Sequence, residues 1–187
     1  MLSACRVPVC ALAATAAASS GGCVIPPDLE PAGADAGTST TPVILGAQPA
    51  EFAFPGPMVL DRGVDRPLTL EVADDDLGDT IYVQLYVDYN REVTGGVPTP
   101  AWASCQAAAT GQVTRFVECP TQALCTPIAE ADLGDHVLEA MVADRPFIPD
   151  SDPLAAGQPP YRALAEPGRA AYSFRSWVMR CNPADEI

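Results

Sequence analysis

The sequence predicts an all-β protein, an antiparallel β-sandwich of about seven to eight short strands. Several segments alternate strictly between apolar and polar residues, while none sustains a helical period. Twenty Pro and 14 Gly in 187 residues supply the turns between them.

Taken in order, Glu51–Phe54 and Met58–Leu60 are short candidate strands. Leu68, Leu70 and Val72 then alternate with Thr69 and Glu71. Ile81, Val83, Leu85 and Val87 alternate with Tyr82, Gln84, Tyr86 and Asp88, the longest such run. Gln112–Glu118 and Ala123–Ile128 are shorter candidates. His136, Leu138, Ala140 and Val142 form another alternating set, and Tyr172, Phe174, Ser176 and Val178 the last. With side chains on opposite faces at successive positions, each set turns one face to a core.

Asp76-Leu77-Gly78-Asp79 and Asp132-Leu133-Gly134-Asp135 each precede an alternating strand, ending at Asp88 and Asp144 respectively, with matching points 56 residues apart. The flanking segments do not match, so one turn chemistry used twice explains this better than a repeated domain. Gly134-Asp135-His136-Val137-Leu138-Glu139-Ala140-Met141-Val142-Ala143-Asp144 resembles strand F of immunoglobulin-like domains of the PKD and cadherin-like type. His136 stands where those domains carry Tyr, at the corner before the strand. The earlier copy, ending Tyr86-Val87-Asp88, fits strand C of that fold. The resemblance covers about two thirds of the domain. It implies an immunoglobulin-like sandwich and identifies a fold rather than an activity.

Upstream, one positive charge in Met1–Arg6, an apolar Ala-rich run from Val7 to Ala18 and small residues before Cys23 have the tripartite form of an export signal, here residues 1–22. Ser20-Gly21-Gly22-Cys23 resembles the lipobox of bacterial lipoproteins, with Ser20 where an aliphatic residue is usual. That resemblance implies acylation of Cys23 and a membrane contact through acyl chains. Val24 in place of Asp implies sorting to the outer membrane, by likeness to Gram-negative lipoproteins. Cleavage near Ala18, leaving a secreted or periplasmic protein, is the alternative. Val24–Thr41 is punctuated by Pro, Gly, Ser and Thr and has little to bury, so 23–41 is expected to be a disordered tether. Eighteen flexible residues reach about 25 Å. The sandwich then occupies 42–187.

The formal charge is -14, with one His, and all ten basic residues are Arg. The absence of a basic patch argues against nucleic acid and against adsorption to anionic lipid. Of seven cysteines, Cys5 and Cys10 lie in the signal and Cys23 at its end. Cys105, Cys119, Cys125 and Cys181 remain, an even number that favours two disulfides in an exported domain. Three pairings are open. Cys105 with Cys119 across a hairpin, and Cys125 with Cys181, is preferred. Zinc is disfavoured because no Cys-x-x-Cys occurs.

No catalytic signature accompanies His136, neither Gly-x-Ser-x-Gly nor His-Glu-x-x-His, so a small hydrolase is the least supported function. Asp74, Asp75, Asp76 and Asp79 form the densest charge cluster. If the strands follow the immunoglobulin-like order, Asp144 falls at the same end of the sandwich. Likeness to cadherin-like domains makes Ca²⁺ the one candidate cofactor, against a solvated acidic loop. Arg145–Gly168 is too long for an ordinary connection, so Arg145, Phe147, Tyr161 and Arg162 are candidate partner contacts, unless the loop only packs back on the sandwich. Trp102, Tyr161 and Trp177 are candidate sugar-stacking rings, although Trp177 lies on an alternating strand where partial burial is the commoner fate. The function expected first is therefore a non-enzymatic, lipid-anchored envelope protein that binds another protein. A carbohydrate-binding module is the alternative.

Overall fold

The computed structural model describes residues 40–50, 56–91 and 95–183. The signal sequence, Cys23, most of the tether and the candidate strand Glu51–Phe54 lie outside the described residues. Among the described residues eight strands form: β1 (Val43–Gln48), β2 (Met58–Asp61), β3 (Leu68–Ala73), β4 (Ile81–Val87), β5 (Ala103–Ala107), β6 (Thr114–Cys119), β7 (His136–Ala143) and β8 (Tyr172–Asn182). They make a three-stranded sheet ordered β1-β3-β6 and a five-stranded sheet ordered β2-β8-β7-β4-β5.

This order is that of the predicted immunoglobulin-like sandwich, with β3 and β6 in one sheet and β8-β7-β4 in the other as strands G, F and C. Every pair is antiparallel but one, because β2 runs parallel to β8, with Met58 opposite Met179 and Asp61 opposite Asn182. β1 and β2, in different sheets, run in the same direction. Hydrogen bonds from Ser173 Oγ to Pro42 O and from Arg175 to Leu45 O show that β1 already runs alongside β8 in the same direction.

The core lies between the sheets. Leu68, Leu70 and Val72 of β3 face Ile81, Val83 and Leu85 of β4, with Leu138 and Ala140 of β7 and Met179 of β8 beside them, all buried. These are the predicted inward positions of β3, β4 and β7. On β8 the predicted set points the other way: Tyr172, Phe174 and Val178 are exposed, while Trp177, Met179 and Cys181 are buried. Both parities of this strand are apolar, so periodicity alone could not choose between them.

β1 and β5 escaped the sequence pattern. β5, Ala-Ser-Cys-Gln-Ala, has no large apolar residue to mark a face, and β1 is interrupted by a register shift between Ile44 and Gly46. Ala123–Ile128 is not a strand but successive turns, closed by Leu124 N to Thr121 O, Thr126 N to Ala123 O and Ile128 N to Cys125 O. Its buried residues, Leu124, Cys125 and Ile128, do not alternate. The two Asp-Leu-Gly-Asp turns use different bonds: Asp79 N donates to Asp76 O, whereas Gly134 N donates to the Asp132 side chain.

Cys105 pairs with Cys119, and Cys125 with Cys181. The first bond is not across a hairpin. β5 and β6 belong to different sheets, so it staples the sandwich together along one edge. Two disulfides suit an oxidising compartment outside the cytoplasm.

Candidate interaction surface

The acidic cluster lies where the strand order requires, at the end of the sandwich between β3 and β4. Its counter-charge comes from the chain itself. Arg115 on β6 shares its parity with Val117 and Cys119 and so points inward. Its guanidinium lies 2.6 Å from Asp74 Oδ2, with both side chains almost fully buried. It also donates to the carbonyl oxygens of Asp79 and Asp76. Asp74 Oδ1 accepts from Thr40 Oγ1 at 3.0 Å and from Asp76 N at 3.1 Å, so both its oxygens are engaged. Thr40, assigned by sequence to the tether, is thus tied to the domain, and its N–H also donates to Asp76 at 2.7 Å. Asp75 points to solvent.

Asp79 and Asp144 do meet, as expected, but through Arg145, which lies 2.7 Å from Asp79 Oδ2 and 3.8 Å from Asp144 Oδ2. Burial holds the Asp144 carboxyl above its ordinary value, against the bond it accepts from Ala171 N and the charge of Arg145. Among the described residues no group of three or more His, Cys, Asp or Glu is disposed to hold a metal.

At the other end, His136 takes the corner position. Its Nδ1 lies 2.6 Å from Asp88 Oδ2 and its Nε2 3.6 Å from Asp132 Oδ2, so carboxylates flank both nitrogens. Asp88, in the left-handed region at φ 50°, also accepts from Val137 N at 2.9 Å and Arg91 at 2.8 Å. Burial alone would raise the Asp88 carboxyl, but the bonds from Val137, His136 and Arg91 outweigh it and hold the group below its ordinary 3.8. A depressed carboxyl stabilises the fold above its unfolded value, and that contribution is lost as pH falls through the folded one. Asp88→Asn should therefore flatten the fall in urea midpoint below the ordinary value of 3.8. An unchanged acid limb would show that other carboxylates set it. Asp144 has the opposite sign, since its protonation relieves a buried charge.

The long loop after β7 folds back over the outer face of the five-stranded sheet. Tyr86, Met141, Ala143 and Leu164 form a second, smaller core there, with Phe147 and Tyr89 packed on it. Phe147 and Leu164 form an isolated β-bridge. Tyr89 Oη donates to Pro160 O at 2.7 Å, and Tyr86 Oη lies 2.7 Å from Tyr161 O and 2.6 Å from Gln84 Oε1, one of which takes its proton. Burial pushes the Tyr86 phenol well above its ordinary range.

Arg162 is the pin of this arrangement. Its guanidinium lies 3.3 Å from the Tyr89 ring centre, 4.6 Å from Tyr86 and 5.0 Å from Phe174, and it pairs with Glu139 of β7. Partly desolvated cation–π contacts contribute about 1–2 kcal/mol each. Arg162→Ala is therefore expected to release the loop while β4 and β7 stay paired. Limited proteolysis should then cut within 150–162 several-fold faster at unchanged far-UV circular dichroism. Unaltered cleavage would mean that the loop is held elsewhere.

Of the four predicted loop contacts, Arg145, Phe147 and Arg162 are thus occupied within the molecule, and only Tyr161 is exposed. An exposed aromatic surface lies beside them. Tyr172 and Phe174 of β8, 49% and 43% exposed, meet edge to face at 5.5 Å between ring centres. With Tyr89, Gln158, Pro159 and Pro167 they line a cleft of about 370 Å³ under the loop. Sequence reasoning missed this pair because it assigned Tyr172 and Phe174 to the core. Trp177 is buried in the core instead, and Trp102 packs partly buried against it. Trp102, Tyr161 and Trp177 therefore do not form one sugar-stacking platform.

No protein-family model matches the chain, and no curated protein is significantly similar to it. Any assignment of function therefore rests on the residues themselves.

Proposed function

We propose that this chain is an exported protein held at the outer membrane by an acylated Cys23, and that its immunoglobulin-like domain is a non-enzymatic module that binds another envelope protein. The observation that carries the binding role is the exposed Tyr172–Phe174 pair beside the cleft under a pinned loop. Aromatic side chains present large contact area at low entropic cost, and a rigid frame limits what is lost on docking. The lipobox-like Ser20-Gly21-Gly22-Cys23 and the Pro-rich segment after it support the anchor.

Two variants test the parts separately. Cys23→Ser should move the protein from the membrane to the soluble fraction and abolish labelling by an alkyne fatty acid. Retained labelling would overturn the anchor. A photo-crosslinker at the exposed Val178 should capture one envelope protein, and Tyr172→Ser with Phe174→Ser should remove that adduct while the far-UV circular dichroism of the folded domain is kept. An adduct that survives both substitutions would move the binding surface elsewhere.

A further inference from the structure

The end of the sandwich opposite the acidic loop carries a second concavity. It is an open pocket of about 450 Å³ whose lining includes Gly63, Trp102, Pro120, Gln122, Ala123 and Thr126. Its walls come from three segments distant in sequence: the turn between β2 and β3, the start of β5, and the turns after β6.

Each wall is fixed. Trp102 N donates to Leu85 O at 2.8 Å, while its ring packs on the main core. Arg62, next to Gly63, reaches across to Cys125 O at 2.7 Å, Ile128 O at 2.9 Å and Ala129 O at 2.8 Å. Thr121 exchanges bonds with Arg66, its Oγ1 accepting from Arg66 N at 3.1 Å and donating to Arg66 O at 2.8 Å. Both disulfides adjoin, through Cys119 before Pro120 and Cys125 before Thr126. Gly63, at φ 76°, presents no side chain, and a Cβ there would meet no atom within 4 Å. A pocket so stapled is pre-formed, as small-ligand sites are.

Its chemistry narrows the ligand. No lining residue carries a charge, and the guanidinium of Arg62 beside Gly63 is turned to three backbone carbonyls, so the lining itself offers an ionic ligand no counter-charge. A wholly apolar ligand fits no better, because Gln122 and Thr126, both exposed, bring an amide and a hydroxyl to the lining. An aromatic ring with neutral amide and hydroxyl groups around it matches a ring bearing hydroxyls. We infer that this pocket binds a neutral saccharide, with Trp102 as the stacking ring. The site is separate from the Tyr172–Phe174 surface and does not depend on what binds there.

The two tryptophans give the readout. In ¹⁵N-labelled protein the two indole N–H signals are distinguished by Trp102→Phe. Glucose, galactose, mannose, N-acetylglucosamine and their disaccharides are then titrated into the wild-type domain. At least one is expected to shift the Trp102 signal saturably and leave that of Trp177 in place. Gln122→Ala, at an exposed position, should weaken that binding about tenfold, the loss of one hydrogen bond of about 1.4 kcal/mol. Three results would overturn the inference: no movement of the Trp102 signal with any of these sugars, equal affinity in Gln122→Ala, or equal affinity for galacturonate and galactose.

Discussion

Arg115→Met is expected to destabilise the domain by about 3–5 kcal/mol, the range for removing one partner of a buried ion pair. Its guanidinium side chain is 1% exposed and that of Asp74 is fully buried, so the substitution strands a carboxylate that water cannot reach. The bonds to the Asp79 and Asp76 carbonyls, which shape the turn before β4, go with it. For a domain of this size the melting temperature should fall by roughly 10–15 °C. Adding Asp74→Leu to Arg115→Met should restore most of the loss, since two apolar residues of similar volume leave no buried charge. A double variant no more stable than the single one would show that Arg115 acts through the carbonyls rather than through Asp74. A single variant within about 1 kcal/mol of wild type, well below the buried-pair range, would mean that water enters this end of the sandwich.

The same arginine shows what a sequence hides. The alternation of Leu68 to Val72, Ile81 to Val87 and His136 to Val142 defined β3, β4 and β7 because each has one apolar parity facing one core. That placed Asp79 and Asp144 at a common end, and the structure joins them through Arg145. What neutralises the cluster was not legible. In Gln112–Glu118 hydropathy favours Phe116 inside and Arg115 outside, yet Phe116 is 60% exposed and Arg115 3%. Val117 and Cys119 share the parity of Arg115, and these two buried neighbours decide the face. On β8 the contest is closer, because Tyr172 and Phe174 oppose Trp177 and Met179 with equal hydrophobicity. There the partner strand settles it: Leu138 and Ala140 face the core, and Trp177 lies opposite Leu138 in the register. The loop after β7 was recognisable by length alone. That Arg162 stacks on Tyr89, and so leaves Tyr172 and Phe174 as the open surface, depends on contacts 73 residues apart in sequence.

Replacing both Cys125 and Cys181 with Ala is expected to cost about as much as losing Arg115, by a different route. The bond closes a loop of 56 residues, and the chain-entropy model assigns about 4 kcal/mol to a constraint of that length. The 14-residue loop closed by Cys105 and Cys119 is assigned about 3 kcal/mol by the same model. Both figures are a large part of the 5–15 kcal/mol that holds a typical domain folded. The longer loop also has a native-state role. Cys125 sits in the turns that wall the Trp102 pocket, while Cys181 pairs with Leu60 where β2 joins β8. Cutting the bond should therefore loosen two places at once, an edge strand of four residues and a turn with no sheet partner. Urea titrations separate the contributions. If the constraint acts only on the unfolded chain, the midpoint falls and amide exchange in 121–128 and β2 keeps its protection relative to β7. If it also holds the native state, those amides lose protection ahead of β7. The second pattern is expected, because the turns would then be held to the β2–β3 connection by hydrogen bonds, from Arg62 to three carbonyls and between Thr121 and Asp65 and Arg66, with no covalent tie to β8.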